Sequence, residues 1–432
     1  MNEVLRYLIR FLLGEEISEV VAEAIGYTTD RHQFGRYSLV IYPSGFFDES
    51  VYGTARSLPT LPLSSIEGVP LLFGSPKMEW EGDTCVVYAD LLASTYFLMT
   101  RYEEMLRRSV RDTHGRFPGR ESLPYRAGFI HRPVIDEYRL LLRRWLRQCQ
   151  VRVPDVERGV RQVYLTHDVD APFRYRSWKG LVRSLLEGRG IIRSLQSKFG
   201  SLEQDPYYTF PWIFRQDGIL EDVLGRGRCH TLLFLRSGGR CVEDKPYYNL
   251  RSSDMKQLIK EAHLHRIKFG LHASYQAGLS PTEVVQERKI LEIQVGEPIR
   301  FNRNHYLTSR EPEDLDQLEA AGITDDFTMG YADVSGFRLG TARPVRWINP
   351  VTRRISTLRL HPLLIMDCSL DEPKYMGLDY PAALNYCSRL IDQVYDTGGE
   401  VVLLWHNTSF EEPAKGYHRK LYLQLLNELG KK

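Results

Sequence analysis

From about residue 160 onward, short apolar runs alternate with longer helical stretches. The runs are Val163-Tyr164-Leu165-Thr166, Thr231-Leu232-Leu233-Phe234-Leu235, Lys268-Phe269-Gly270-Leu271, Ile299-Arg300-Phe301, Ile323-Thr324-Asp325, Thr357-Leu358-Arg359-Leu360 and Val401-Val402-Leu403-Leu404-Trp405. Helical stretches intervene at about 252–266, 281–295, 312–321 and 380–397. Strand alternating with helix predicts a parallel sheet with crossover helices. Roughly seven such units predict a barrel rather than an open sheet. A long insert at 172–228 is rich in Arg and aromatic residues, and is expected to cover one mouth of the barrel.

The first 155 residues read differently. Short strand-like runs, such as Tyr37-Ser38-Leu39-Val40-Ile41-Tyr42, are broken by Pro and Gly. One helical stretch runs from Leu91 to Met99 and leads into Arg101-Tyr102-Glu103-Glu104-Met105-Leu106. Another runs from Asp136 to Cys149, punctuated by Pro133 and Pro154. Its arginines 139, 143, 144 and 147 are expected to form a solvated face. The opening residues, Met1 to Leu13, are interrupted by Arg6 and Arg10 and followed by Glu15-Glu16. That pattern fits an amphipathic helix better than a signal peptide. The chain shows no sequence repeat and no low-complexity tract. The expectation is an α/β protein with two domains, a smaller α+β domain at 1–155 and a barrel at 156–432.

Composition narrows the classes. At 432 residues the chain has room for two large or about three average domains. Hydrophobic residues are 43% and charged residues 26%, which excludes a disordered chain. Lys+Arg is 57 and Asp+Glu is 55, so the overall charge gives no case for nucleic acid or for anionic membranes. No apolar run reaches the roughly 20 residues needed to span a bilayer. Six scattered cysteines (Cys85, Cys149, Cys229, Cys241, Cys368 and Cys387) have no CxxC spacing. They argue against a zinc knuckle and for a reducing compartment, with a cytoplasmic location expected.

In α/β barrels reactive side chains sit just past the C-terminal ends of strands. There the sequence carries Thr166-His167-Asp168-Val169-Asp170, His272-Ala273-Ser274-Tyr275, Arg303-Asn304-His305-Tyr306 and His406-Asn407. Any one of these has an ordinary surface explanation. Four of seven strand ends, in a chain with only 12 His, are hard to explain that way because a barrel brings them to one rim. Carboxylate oxygen with imidazole nitrogen is a ligand set for zinc or a similar divalent ion. Such an ion supports hydrolysis, with a further carboxylate as base and a His as acid.

These residues resemble the NodB-homology polysaccharide deacetylases, the carbohydrate esterase family 4 fold. Thr166-His167-Asp168-Val169-Asp170 looks like the family's Thr-Phe-Asp-Asp motif with the second Asp displaced by one. The resemblance implies a distorted (β/α)7 barrel, with Asp168 as base and Asp170 as metal ligand. His272 matches the first His of His-(Ser/Thr)-x-x-His, and the second position holds Gln276. The usual Asp-His-His triad is thus incomplete, and His305 is the candidate to complete it. Arg303 resembles the third motif's Arg, and His406 in Leu403-Leu404-Trp405-His406 resembles the general acid of the last. The likeness spans roughly 160–410. Gly330-Tyr331-Ala332-Asp333 and the stretch Gly336 to Thr341 also look like a bacterial subgroup with an extra N-terminal domain. Its first domain contains stretches similar to Arg101-Tyr102-Glu103-Glu104 and Gly115-Arg116-Phe117-Pro118, which imply architecture and no activity.

Other positions carry weaker expectations. Asp333 is a candidate to orient Arg303, or else a turn residue. His361-Pro362 reads more as a structural bend than as a ligand. Asp325, Asp326 and Asp367 are expected to be solvated more often than functional. Tyr275, Tyr306 and Trp405 are candidates to line a sugar site. Trp178, Tyr207, Tyr208 and Trp212 form either a stacking lid or core, with core expected for two or more.

Three functions remain open at this point. One is a metal-dependent hydrolase removing an acyl group, N-acetyl foremost, from a carbohydrate, using one zinc (or cobalt, nickel or iron). The second is a glycan-binding pseudoenzyme, motivated by Gln276. The third is a hydrolase of another non-peptide C–N bond.

Overall fold

The computed structural model describes residues 3–278, 280–411 and 416–432. The N-terminal helix spans Glu3–Leu13, with Val4, Leu8, Ile9, Phe11, Leu12 and Leu13 buried along one face. Met1 and Asn2 lie outside the described residues.

The first region holds strands β1 (Ile25–Tyr27), β2 (Leu39–Ile41), β3 (Ser64–Ile66), β4 (Val69–Leu71), β5 (Gly74–Glu81) and β6 (Thr84–Ala89). A four-stranded sheet runs in the order β1-β2-β6-β5, and β3-β4 form a separate hairpin. Helix Leu91–Met99 is buried at all nine positions. Buried Asp90 starts it by accepting from Ala93 N–H at 3.0 Å. Helix Val134–Gln148 packs against the N-terminal helix, helix Leu91–Met99, β4 and helix Tyr380–Thr397. The solvated-face expectation holds for Arg144 and Arg147, which are exposed, and is corrected for the other two. Arg139 and Arg143 are buried and both pair with Glu16, and Arg143 also donates to the Leu13 carbonyl. A guanidinium can sit there because ion pairs and carbonyls take its donors.

The second region contains β7 (Val160–Val169), β8 (Cys229–Leu235), β9 (Lys268–Ala273), β10 (Phe301–Asn304), β11 (Asp325–Asp326), β12 (Val345–Ile348), β13 (Ile355–Leu360), β14 (Ile365–Met366) and β15 (Gly399–Leu404). They form one sheet in the order β12-β13-β11-β10-β9-β8-β7-β15-β14. All its pairings are parallel except β12 with β13. Helices Ser253–Leu264, Pro281–Val295 and Tyr380–Thr397 fall where the periodicity predicts. The fourth run is displaced toward Phe301–Asn304, and β12 and β14 are additions to the expected set.

The sheet curls until its two sides meet. The stretch that contains β13 and β14 bonds to β11 through its first half and to β15 through its second. Between them, Leu363 N–H donates to the Met329 carbonyl and Leu364 N–H to the Val402 carbonyl, both at 3.1 Å. Inside the curl, Leu232, Phe234, Phe327, Leu363, Val402 and Leu404 form a separate apolar cluster with Tyr164 and Phe301. Strand side chains alternate between faces. The inner residues therefore come at every second position, as in Tyr164, Thr166, Asp168 and Asp170, or Glu400, Val402, Leu404 and His406.

The two regions share one hydrophobic core. Buried Glu104 accepts from both Arg101 and Arg338, and Asp136 accepts from Thr341 and Arg343. No helix among the described residues is long and apolar enough to cross a membrane.

Candidate metal centre and active site

Period-two alternation explains the spacing of the first motif. Asp168 and Asp170 both face the interior from β7 and its end, while His167 faces outward. There His167 bonds to Asp217 at 2.9 Å and to the Trp405 carbonyl at 2.8 Å, buried and away from the rim.

Three imidazoles surround the Asp170 carboxylate. His272 Nε2 is 3.1 Å from Asp170 Oδ1, and His305 Nε2 is 3.3 Å from the same oxygen. His406 Nε2 lies 3.7 Å from Oδ2. Each ring is oriented from behind. His272 Nδ1 faces the Arg303 carbonyl at 3.0 Å, and His305 Nδ1 faces Asp244 Oδ1 at 3.0 Å. Both partners only accept, so both Nδ1 atoms carry hydrogens. In the neutral rings, both Nε2 lone pairs then point at a carboxylate oxygen. Three acceptors then lie close enough to share a cation, and without one Asp170 foremost raises the His305 pKa against its burial. Ligands about 2.0–2.1 Å from a tetrahedral zinc stand about 3.3 Å from one another, so the spacing fits. Burial alone would raise the Asp170 carboxyl; His305 foremost, with His272 and His406, holds it well below the usual carboxylate range. Its side chain is 34% exposed, while His272 and His305 are buried, so the cluster opens to solvent on the carboxylate side.

A turn delivers His305. After β10 the chain passes through Tyr306 (φ 59) and Leu307 (φ 54), both in the left-handed region. Two consecutive bulky residues there cost about 1–3 kcal/mol each, so the surroundings must hold them. Arg116 donates to the Tyr306 carbonyl at 2.7 Å, and Asn304 donates to that of Thr308 at 2.8 Å. The result turns His305 inward and leaves Tyr306 39% exposed at the mouth.

Asp168 sits deeper, 2% exposed, with Oδ2 3.8 Å from His272 Nε2. Fully buried Arg303 donates from Nη1 to Asp168 Oδ1 at 3.1 Å and to Thr166 Oγ1 at 2.7 Å. Its Nε donates to the Phe327 carbonyl, and its guanidinium lies 4.8 Å over the Phe234 ring. Gly270 on β9 makes that platform possible, since a Cβ there would come within 2.4 Å of Phe234. On the last strand, His406 Nδ1–H donates to Asp367 Oδ1 at 2.9 Å. Burial would lower the His406 pKa, but Asp367 foremost raises it well above the ordinary value. Asp367, Cys368 and His406 also cluster closely enough to hold an ion. The Asp367–His406 hydrogen bond already accounts for that grouping.

The structure thus brings together Asp168, Asp170, His272, Arg303, His305 and His406. Tyr275 and Tyr306 meet edge-on with ring centroids 5.8 Å apart, and both contact His114. His114 comes from the first region. Trp405 does not join them. It is fully buried against Tyr422 and His418, because the residue next to inward-facing His406 must face the helices outside. Asp333 does not orient Arg303; it accepts from Gly119 and Arg120 N–H. Asp325 and Asp326 are buried rather than solvated, bonded to His361 and to Asn302 and Thr328 respectively. Asp367 is buried and orients His406. Gln276 accepts from Arg240 N–H, away from the imidazoles. Tyr208 stacks on Phe173 and Trp212 packs on Phe410, the core outcome for two of the four candidate aromatics named in the insert.

Sequence reasoning missed Asp244 and Arg236. Buried Arg236 lies one residue past β8, with Nη1 3.4–3.5 Å from both His305 ring nitrogens and so over the ring face. The inward alternation Leu232, Phe234, Arg236 carries the signal that finds it.

Comparison with known proteins adds the following. Residues 1–151 match a family of unknown function (DUF7033). No curated protein matches the chain. Similar solved structures include one described as a polysaccharide deacetylase from Mycobacterium smegmatis, at TM-score 0.40 and 15% identity, covering 65% of this chain and 86% of that one. Another is PuuE allantoinase, at TM-score 0.36 and 13% identity, covering 63% and 85%. At TM-scores below 0.5, neither likeness bears on what this chain does.

Proposed function

We propose that the chain is a metal-dependent hydrolase that removes an acyl group, N-acetyl foremost, from a carbohydrate, on a distorted (β/α)7 barrel of the NodB-homology type. The convergence of the Asp170, His272 and His305 acceptor atoms carries this reading. Asp170, His272 and His305 would hold one divalent ion, zinc foremost. When bound, the ion supplies an acidified water and a polarised carbonyl. Asp168, fixed by Arg303, is placed to accept a proton at its carboxylate. His406, charged through Asp367, holds a proton at Nε2 for a leaving amine across the opening. Tyr275 and Tyr306, with His114, offer aromatic faces at the mouth for a sugar ring. The order of the motifs along the chain supports the same family resemblance. The division near residue 155 belongs to this proposal, with the first region supplying His114 and the Arg116 brace. A cytoplasmic location and a soluble or lipid-linked glycan substrate complete it.

Elemental analysis of the dialysed protein tests the reading. About one zinc, cobalt, nickel or iron per chain is expected, and it should be lost in Asp170→Ala. Turnover of N-acetylated sugars by the loaded protein should follow. A protein that takes up no metal after reloading with zinc overturns the mechanism and leaves a glycan-binding role. Metal with turnover only on other amides transfers the reading to a different C–N bond.

A further inference from the structure

Two nine-residue helices, Trp178–Leu186 and Ile191–Phe199, follow the first motif as a hairpin. Their burial is inverted. The residues they bury are Gly180, Ser184, Ser194 and Ser197, and the Ser184 and Ser194 hydroxyls meet at 2.8 Å. Their large apolar side chains point to solvent instead. Leu186 is 83% exposed, Ile192 74%, Ile191 69% and Trp178 68%, and Val182, Leu185, Leu195 and Phe199 are also exposed. Isolated exposed apolar residues are ordinary, but a contiguous set marks an interaction surface.

The charge of the same segment says what it fits. Residues 178–199 contain five basic residues (Lys179, Arg183, Arg189, Arg193 and Lys198) against the single acid Glu187. The whole chain is only +2, so this hairpin is a local positive island. Two copies placed face to face would oppose like charges. A nucleic acid would leave the apolar centre without a partner. Apolar side chains amid Lys and Arg instead match the acyl–headgroup boundary of an anionic bilayer. Lys198 Nζ, 5.1 Å from the Trp178 ring centre and 5.4 Å from that of Phe199, places cation and aromatics together as that boundary favours.

We propose that this hairpin docks the protein on an anionic lipid surface. Its position matters for the site. Asn407 donates to the Ala171 carbonyl at 3.0 Å, and Arg174 pairs with Glu411 at 3.1 Å, so the insert is tied to the rim that carries Asp170 and His406. Docking brings the barrel mouth beside the bilayer. The inference stands apart from the hydrolytic reading, because binding is read without turnover.

The test is co-sedimentation of the full chain with phosphatidylcholine vesicles, with and without phosphatidylglycerol. Binding is expected to require phosphatidylglycerol and to weaken at about 0.5 M salt. The combined variant Leu186→Ser, Ile191→Ser and Ile192→Ser should lower partitioning about tenfold or more with unchanged melting temperature. Arg183→Glu with Arg193→Glu should lower it about as much. No binding to phosphatidylglycerol vesicles overturns the proposal, as does binding indifferent to both variants. A self-associated protein that the serine variant makes monomeric, without vesicle binding, overturns it in favour of a second copy.

Discussion

The two ends of the curled sheet arrange the same residue types around different centres. At the rim, one carboxylate, Asp170, faces three imidazoles, those of His272, His305 and His406. At the other end, one imidazole, His361, lies between two carboxylates. Its Nδ1 is 2.9 Å from Glu400 and its Nε2 is 3.0 Å from Asp325, which also pairs with Arg359 at 2.8 Å. Both His361 nitrogens meet groups that only accept, so a proton on each satisfies the cluster. At the rim His305 likewise lies between Asp170 and Asp244, whereas His272 has the Arg303 carbonyl behind it. What separates the two ends is access, since the Asp170 side chain is 34% exposed against 5% for Asp325 and 3% for Glu400.

Replacing the rim's common oxygen should break this contrast most strongly. Asp170→Ala should reduce bound metal from about one ion per chain to near zero and lower turnover by about a thousandfold or more, read by elemental analysis and steady-state rates. His406→Asn should keep the metal and lower kcat by about 10²–10⁴, since in the proposed mechanism it removes only the proton donor. Equal loss of metal in both variants would show that His406 is a ligand.

The opposite end should respond in stability alone. Burial by itself would lower the His361 pKa, but Glu400 foremost, with Asp325, raises it from 6.5 to about 9. A folded pKa above the unfolded one stabilises fully below pH 6.5 and is lost as pH rises through about 9. The loss amounts to about 3 kcal/mol for a shift of this size. Denaturant melts of the parent should therefore weaken between pH 6.5 and 9. His361→Gln should be less stable at pH 6 and flat across that range, with its metal content unchanged. Metal loss in that variant would join the two ends that the comparison separates.

Asp333→Asn should have the smallest effect, costing about 1 kcal/mol through weakened bonds to Gly119 and Arg120 N–H. Thermal melting reads this, and kcat should stay unchanged because Arg303 is held by Asp168 and Thr166 instead.

The sequence made the parallel strands legible because they are buried on both faces and so read as short apolar runs. It hid β12, which pairs antiparallel at one edge, and β14, which has only two residues. In the first region β2 registered within the Tyr37–Tyr42 run, while β1, β3 and β4 are too short for periodicity to register. At the site, the ligand candidates were legible because their residue types are scarce and recur at strand ends. Asp244 and Asp367 were not, because each acts by orienting an imidazole that only the fold brings near. Trp405 was misread where period two, anchored on His406, assigns it to the outer face. Arg139 and Arg143 were misread because Glu16, their partner on the other side of the helix packing, is distant in sequence.

The strand pairing also sets a timetable for synthesis. β7 carries Asp168 and leads into Asp170, yet one of its neighbours is β15, and the Thr166 hydroxyl bonds to the Leu403 carbonyl 237 residues later. At the usual pace of translation this interval lasts on the order of ten to fifty seconds. By residue 305 the nascent chain carries Asp168, Asp170, His272, Arg303 and His305 but not His406, and the β7 edge that β15 covers stays open. A product that ends before β15 lacks His406 and leaves one β7 edge unpaired, a template for pairing with another chain.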